Sequence, residues 1–249
     1  MHALFQSAIL AIALIFPVLA LGQDRKEVVK TELMTLCFNG IVPSYYYMNG
    51  KKIMELTAHS QGISPPVFYS GSPVIALYGN KGDLESIKSG EDPPKPQMSA
   101  RIPTGSDRVL LVFAYTDKEK KDPKLRAYGI DDSTLKEGDY RVFNLSKKKI
   151  YAVLNDKKSA VAVSSNKQGT IRSGAWGKKA GAVQAQFGIQ DGKKIKRAYS
   201  SVWGHRPERR SFVFVFDNGD RVKPLNIRSF YDVPGYKPPR AGGDGPPLQ

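Results

Sequence analysis

The chain uses one β pattern twice, and that repetition constrains its fold more than any other feature. Residues 38–62, FNGIVPSYYYMNGKKIMELTAHSQG, and 143–169, FNLSKKKIYAVLNDKKSAVAVSSNKQG, share an order of parts. Each opens on Phe-Asn and runs through an apolar, aromatic-rich strand to Asn-Gly or Asn-Asp beside Lys-Lys. A second strand and a Gln-Gly turn follow. The spacing holds: Phe143 follows Phe38 by 105 residues, Asn155 follows Asn49 by 106, and Gly169 follows Gly62 by 107. A later pair matches SDRVLLVFAYTD (106–117) with ERRSFVFVFDNGD (208–220), Arg210 following Arg108 by 102. A duplicated unit of about 100 residues predicts an all-β chain of two tandem Ig-like β-sandwiches. One fused sandwich using all the strands is the alternative.

Local patterns agree with strands. No window carries a sustained 3.6-residue period, and short apolar runs recur at fairly even spacing with turn signals between them. Asn49-Gly50 between two such runs predicts a hairpin whose turn needs positive φ. Residues 108–115, RVLLVFAY, are apolar on both alternating faces, as a strand covered on both sides requires. Residues 79–97 hold three prolines and few apolar side chains, which predicts a long exposed loop. The charged stretch 118–124 is the expected linker between units at 23–117 and 125–232. The Pro- and Gly-rich end, 233–249, cannot bury a core and is expected to be disordered.

The first 22 residues read as a signal peptide. An apolar run over 8–21 carries no formal charge and ends in Ala20-Leu21-Gly22, small residues at both positions of a signal-peptidase site. The usual basic n-region is missing, which keeps an uncleaved anchor as an alternative. Cys37 is the only cysteine, so no intramolecular disulfide can form. Disulfide-free export suggests a bacterial periplasm or cell surface. In its apolar setting Cys37 is expected to be a buried, inert thiol.

Charge is the strongest compositional bias. The 38 Lys and Arg outnumber 23 Asp and Glu, for a net +15, all of it beyond residue 22. Such a field favours polyanions: an acidic envelope polymer or lipid surface rather than nucleic acid in an exported chain. No serine-hydrolase elbow, zinc-protease helix, Cys-x-x-Cys, phosphate loop or dinucleotide fingerprint is present. Only His59 and His205 follow the signal segment. No catalytic residue, cofactor or metal is therefore expected. The acids Asp131, Asp132, Glu137 and Asp139 crowd one loop, but their spacing matches no EF-hand. The candidate ligand site is a basic, aromatic hairpin of Lys194, Lys196, Arg197, Trp203, His205, Arg206, Arg209 and Arg210, which combines ring stacking with guanidinium hydrogen bonds.

LKEGDYRVFNLSKKKI and AYSSVWGHRPERRSFVFVF together resemble a family of uncharacterised exported bacterial β proteins. Those share a Gly-x-Tyr-x-x-x-Asn-Leu-Ser strand and a Ser-Ser-x-Trp…Arg-Arg hairpin. The resemblance covers most of residues 30–230 and implies export and a β fold, with no assigned activity to carry over. Three readings follow. The first is a non-catalytic exported protein that binds an acidic envelope component through the basic hairpin. The second is a protein-binding module acting by strand addition, as periplasmic pilus chaperones of similar size do. The third is a hydrolase with carboxylates scattered in sequence.

Overall fold

The computed structural model describes residues 27–92, 94–115 and 123–232, apart from the side chains of 156–159. The expected signal segment, the tail 233–249 and most of the charged stretch 118–124 lie outside the described residues. What is described is almost entirely β, with one short helix. None of its helices is long and apolar enough to cross a membrane.

The strands fall into two sets with the same order. The first set comprises β1 (Val29–Phe38), β2 (Tyr45–Asn49), β3 (Lys52–Leu56), β4 (Val67–Gly71), β5 (Val74–Leu77), β6 (Met98–Arg101), β7 (Arg108–Ala114) and β8 (Lys124–Ile130). The second comprises β9 (Tyr140–Asn144), β10 (Ile150–Leu154), β11 (Asp156–Val163), β12 (Gln168–Ile171), β13 (Gly181–Asp191), β14 (Lys194–His205), β15 (Arg210–Asp217) and β16 (Leu225–Asp232). One sheet runs β4-β1-β7-β8 and its counterpart runs β12-β9-β15-β16. The other strands form β11-β10-β13-β14 in the second set. In the first set they form two hairpins, β2-β3 and β5-β6, joined where Tyr46 and Tyr78 exchange backbone hydrogen bonds of 2.8 and 2.9 Å.

This is the order that a duplicated unit requires. Phe38 and Phe143 sit in the matching strands β1 and β9, while Arg108 and Arg210 open the matching strands β7 and β15. In each set the central pair, β1 with β7 and β9 with β15, is parallel. That departs from the antiparallel sheets of an Ig-like sandwich.

The two units share a core. Leu33, Tyr45, Tyr47, Leu77 and Phe113 lie between the first sheet and its hairpins. Val142, Ala152, Phe187 and Val213 lie between the two sheets of the second set. A third cluster joins the units face to face: Met34, Leu36, Phe38, Leu110 and Val112 against Phe143, Phe212 and Phe214. β7 is covered on both sides as its composition requires, with six of its seven residues buried. The result is a stack of four β layers in which the junction is the middle.

Two sequence expectations change here, and the Asn49-Gly50 hairpin holds. The charged stretch is not a boundary between units, because β8 beyond it pairs antiparallel with β7 and completes the first sheet. Charge there marks the connection between neighbouring strands. Residues 79–97 are not all loop, since α1 (Lys81–Lys88) forms within them. Asn80 caps it through a 2.9 Å bond from the Gly82 amide, Lys81 pairs with Glu85 at 3.6 Å, and only Leu84 is buried. One anchored side chain leaves no periodic apolar pattern to read. The Asn49-Gly50 turn takes positive φ at Gly50 alone (58°). Asn49 instead spends its side chain on β4, donating to Phe68 O at 2.7 Å and accepting from Ser70 N at 2.7 Å.

Candidate functional site

The eight basic and aromatic residues expected to form one hairpin site do not form one. β14 pairs with β13 in the outermost sheet, whereas β15 pairs with β9 and β16 in the junction sheet. Residues 206–209 are therefore a corner between layers. At about 3.3 Å per residue, Lys194 and His205 stand roughly 35 Å apart at opposite ends of β14. Lys194, Lys196 and Arg197 are exposed at one end, and Arg206 is exposed at the corner.

His205 and Arg210 are buried, which removes both from any surface site. The His205 Nε2 faces the Gly177 carbonyl at 2.9 Å, so it must carry the proton and donate. Nδ1 then accepts from the Tyr140 hydroxyl at 2.7 Å. Trp176 packs edge-on to the imidazole with centroids 5.3 Å apart. Trp203 is half-buried against Phe187 and spends its indole N–H on Tyr199 Oη at 3.1 Å. Arg209 lies over the Tyr231 ring at 5.2 Å.

The stretch Gly138-x-Tyr140-x-x-x-Asn144-Leu145-Ser146 serves the same structural end. Gly138 adopts φ 79°, and a Cβ there would stand 3.0 Å from both Gly177 O and Ser173 Oγ. Asp139 is buried and takes a 2.9 Å bond from the Ser173 amide and a 2.9 Å ion pair from Arg172. Asn144 is fully buried. It donates to Lys148 O and Val163 O at 2.7 and 2.9 Å and accepts from the Ser146 amide and hydroxyl at 3.0 and 2.7 Å. So enclosed, Asn144 pins the turn at 144–148 to the end of β11.

Arg210 belongs to a four-membered ion cluster at the end of the junction. Arg108 reaches Asp132 at 2.6 Å and Asp232 at 2.9 Å. Arg210 reaches Asp132 at 2.7 Å and also pairs with Asp232. Each unit supplies one arginine from the start of its inner strand and one aspartate, Asp232 at the end of β16 and Asp132 just past the end of β8. Burial would raise the Asp132 carboxyl, but hydrogen bonds from Arg108 and Arg210 and the charge of both outweigh it and hold it below its ordinary value of 3.8. The crowded acids are thus used separately: Asp131 closes a turn by accepting from the Ser133 amide at 2.9 Å. No group of three or more His, Cys, Asp or Glu converges on a metal position among the described residues. Cys37 is fully buried, and burial raises its thiol above the ordinary value.

The surface concentration of charge lies elsewhere, at the end of the second unit where three turns meet. A cleft of about 490 Å³ opens there, lined by Lys148, Lys196 and Arg221 with Asp191, Asp217 and Asp220. The lysines at 147–149 turn from β9 to β10, those at 193–196 follow the β13–β14 turn, and Arg221 lies between β15 and β16. Two backbone amides fasten the turns: Gln190 N donates to Lys149 O at 3.4 Å, and Lys147 N donates to the Asp217 side chain, Oδ2, at 2.9 Å. Two of the acids are therefore occupied. Asp217 accepts the Lys147 amide, and the Val222 and Lys223 amides hold the Asp220 carboxyl below its ordinary value. Lys148, Lys196 and Arg221 are exposed and form no ion pair with a described residue.

Sequence reasoning found Lys194, Lys196 and Arg197 of this surface and missed 147–149 and Arg221. The signal for the former was present, because Lys147-Lys148-Lys149 is the longest lysine run within the described residues. What was missing was the topology that sets it beside 193–196. No protein-family model and no curated protein matches this chain, so its chemistry has to be argued from this geometry.

Proposed function

We propose that the protein is a non-catalytic exported binding protein that captures an acidic polymer of the cell envelope at the basic end of its second unit. The observation that carries this reading is the convergence of three turns, distant in sequence, on one cleft. Its cations form no ion pair with a described residue, while two of its three acids are engaged by backbone amides. A flexible polyanion can follow such a surface by exchanging counterions for lysine and arginine contacts, without a deep pocket. With His205 and Arg210 buried in the fold, Lys194, Lys196 and Arg197 remain exposed at this end beside Lys147, Lys148, Lys149 and Arg221.

The test is retention of residues 23–249 on an immobilised sulfated polysaccharide and on anionic lipid vesicles, at low and high salt. Lys148→Ser, Lys196→Ser and Arg221→Ser combined should weaken low-salt binding at least about tenfold, since contacts to a polyanion are additive in salt-labile charge. Each site is exposed, so melting should change by less than about 0.5 kcal/mol per substitution. Arg206→Ser, on the distant corner, should leave retention as it was. Loss of binding with Arg206→Ser but not with the triple variant would contradict the assignment. Capture by polysaccharide without vesicles would identify a glycan, and the reverse a lipid surface.

A further inference from the structure

Most sheet edges in this fold are closed. The outer edge of β4 takes hydrogen bonds from the Asn49 side chain and from Gly50 N, which donates to Ser70 O at 2.6 Å. β8 packs beside β6, and β11 beside β12. β14 is different. It is the longest strand, at 12 residues, yet its backbone hydrogen bonds with described residues all go to β13 on one side. Its counterpart β6 has four residues. An open edge presents alternate N–H and C=O groups along its length, and natural proteins protect such edges with lysines, prolines or bulges.

β14 is protected over only part of its length. Lys194, Lys196 and Arg197 occupy its first third, and the register shifts between Phe187 and Gly188 opposite residues 197–199. Beyond that bulge, AYSSVWGH (198–205) carries no lysine, arginine, acid or proline, and Val202 is 69% exposed. Eight uncharged residues of an edge that no described strand covers span about 25 Å. Cations bound this stretch at both ends: Arg197 on one side, Arg206 on the other, both exposed.

We propose that residues 198–205 of β14 receive an extended segment of a partner polypeptide, added as a fifth strand, with an uncharged β-forming centre and acidic residues at its ends. The backbone groups supply the attachment, as in other strand additions. The flanking arginines set the sign of the partner: a second copy of this basic chain would bring Arg197 and Arg206 towards like charges. This edge adjoins the basic surface at Arg197 but uses backbone groups that the cleft does not, and neither reading depends on the other.

The probe is a synthetic peptide of about eight alternating Val and Thr residues with Asp and Glu at both ends. Its control is the same peptide N-methylated at every central residue. Amide exchange of the full 23–249 protein is followed by NMR. At about 1 mM peptide, exchange within 198–205 should slow at least tenfold while the methylated peptide has no effect. Arg206→Glu should weaken the peptide at least fivefold and leave polyanion retention unchanged. No slowing at that concentration, slowing at another edge, or equal effects of the two peptides would overturn the proposal. So would protection of 198–205 without peptide together with a doubled mass, which would assign the edge to a second copy.

Discussion

Arg210→Ala is expected to destabilise the protein by about 3–5 kcal/mol, the cost of removing one partner from a buried ion pair. For a chain of this size that is a fall in Tm of roughly 6–20 °C. The reasoning starts from burial. The Arg210 side chain is 3% exposed, and it bonds Asp132, Asp232 and the Leu135 carbonyl. Alanine leaves Asp232, itself 13% exposed, with Arg108 as its remaining partner. The cluster draws one arginine and one aspartate from each unit, so the loss falls on the junction and not on either unit alone.

A pH dependence follows with a defined sign. The folded state holds Asp132 below its ordinary 3.8, so its pairing contributes stability that is present above that value and lost as pH falls through the lower folded value. Wild-type stability should therefore drop below about pH 4, and Arg210→Ala should show a shallower acid drop. Chemical denaturation at pH 7 and pH 3 measures both. A variant as stable as wild type at pH 7 would mean that the cluster is solvated and contributes little.

Phe214→Ala is expected to cost about 3–5 kcal/mol, because a fully buried ring leaves a cavity that the surrounding strands cannot close. Phe214 stacks on Phe143 with centroids 4.7 Å apart and planes 9° from parallel, and its ring is 4.9 Å from Phe38 of the other unit. Phe38 also meets Phe216 and Phe230, at 4.6 and 5.8 Å. A single truncation thus removes contacts within the second unit and across the junction. Phe230, only partly buried, is the comparison: its truncation should cost clearly less. Urea unfolding of the two variants decides it, and equal midpoints would place Phe214 in a core that can relax.

Much of the fold was legible because β sequence carries a short period. The repeat offsets located matching strands, and RVLLVFAY showed by apolar residues on both faces that β7 would be covered twice. What could not be read was which layers meet. The apolar strands β9 and β15 look equally suited to two separate sandwiches or to one stack, since apolar faces do not name their partners. Helix α1 escaped for a related reason, as Leu84 alone anchors it.

The candidate site was half legible. Lys194, Lys196 and Arg197 stood out by composition, and they do lie on the basic end. His205, Arg209 and Arg210 looked like ligand contacts for the same compositional reason. Their true environment depends on long-range neighbours: Tyr140 and Gly177 for His205, the ring of Tyr231 for Arg209, and Asp132 and Asp232 for Arg210. Charge in a sequence shows that a residue needs a partner. It does not show whether the partner is solvent, ligand or the chain itself.

The central claim is that two copies of one β unit are fused through a shared core into a single folding body. Scanning calorimetry of residues 23–249 at pH 7 tests it most directly. The account predicts one transition whose calorimetric and van't Hoff enthalpies agree, moving as a whole to lower temperature in Phe214→Ala. Two resolved transitions in the wild type, with only one of them shifted by Phe214→Ala, would show instead two sandwiches that merely touch.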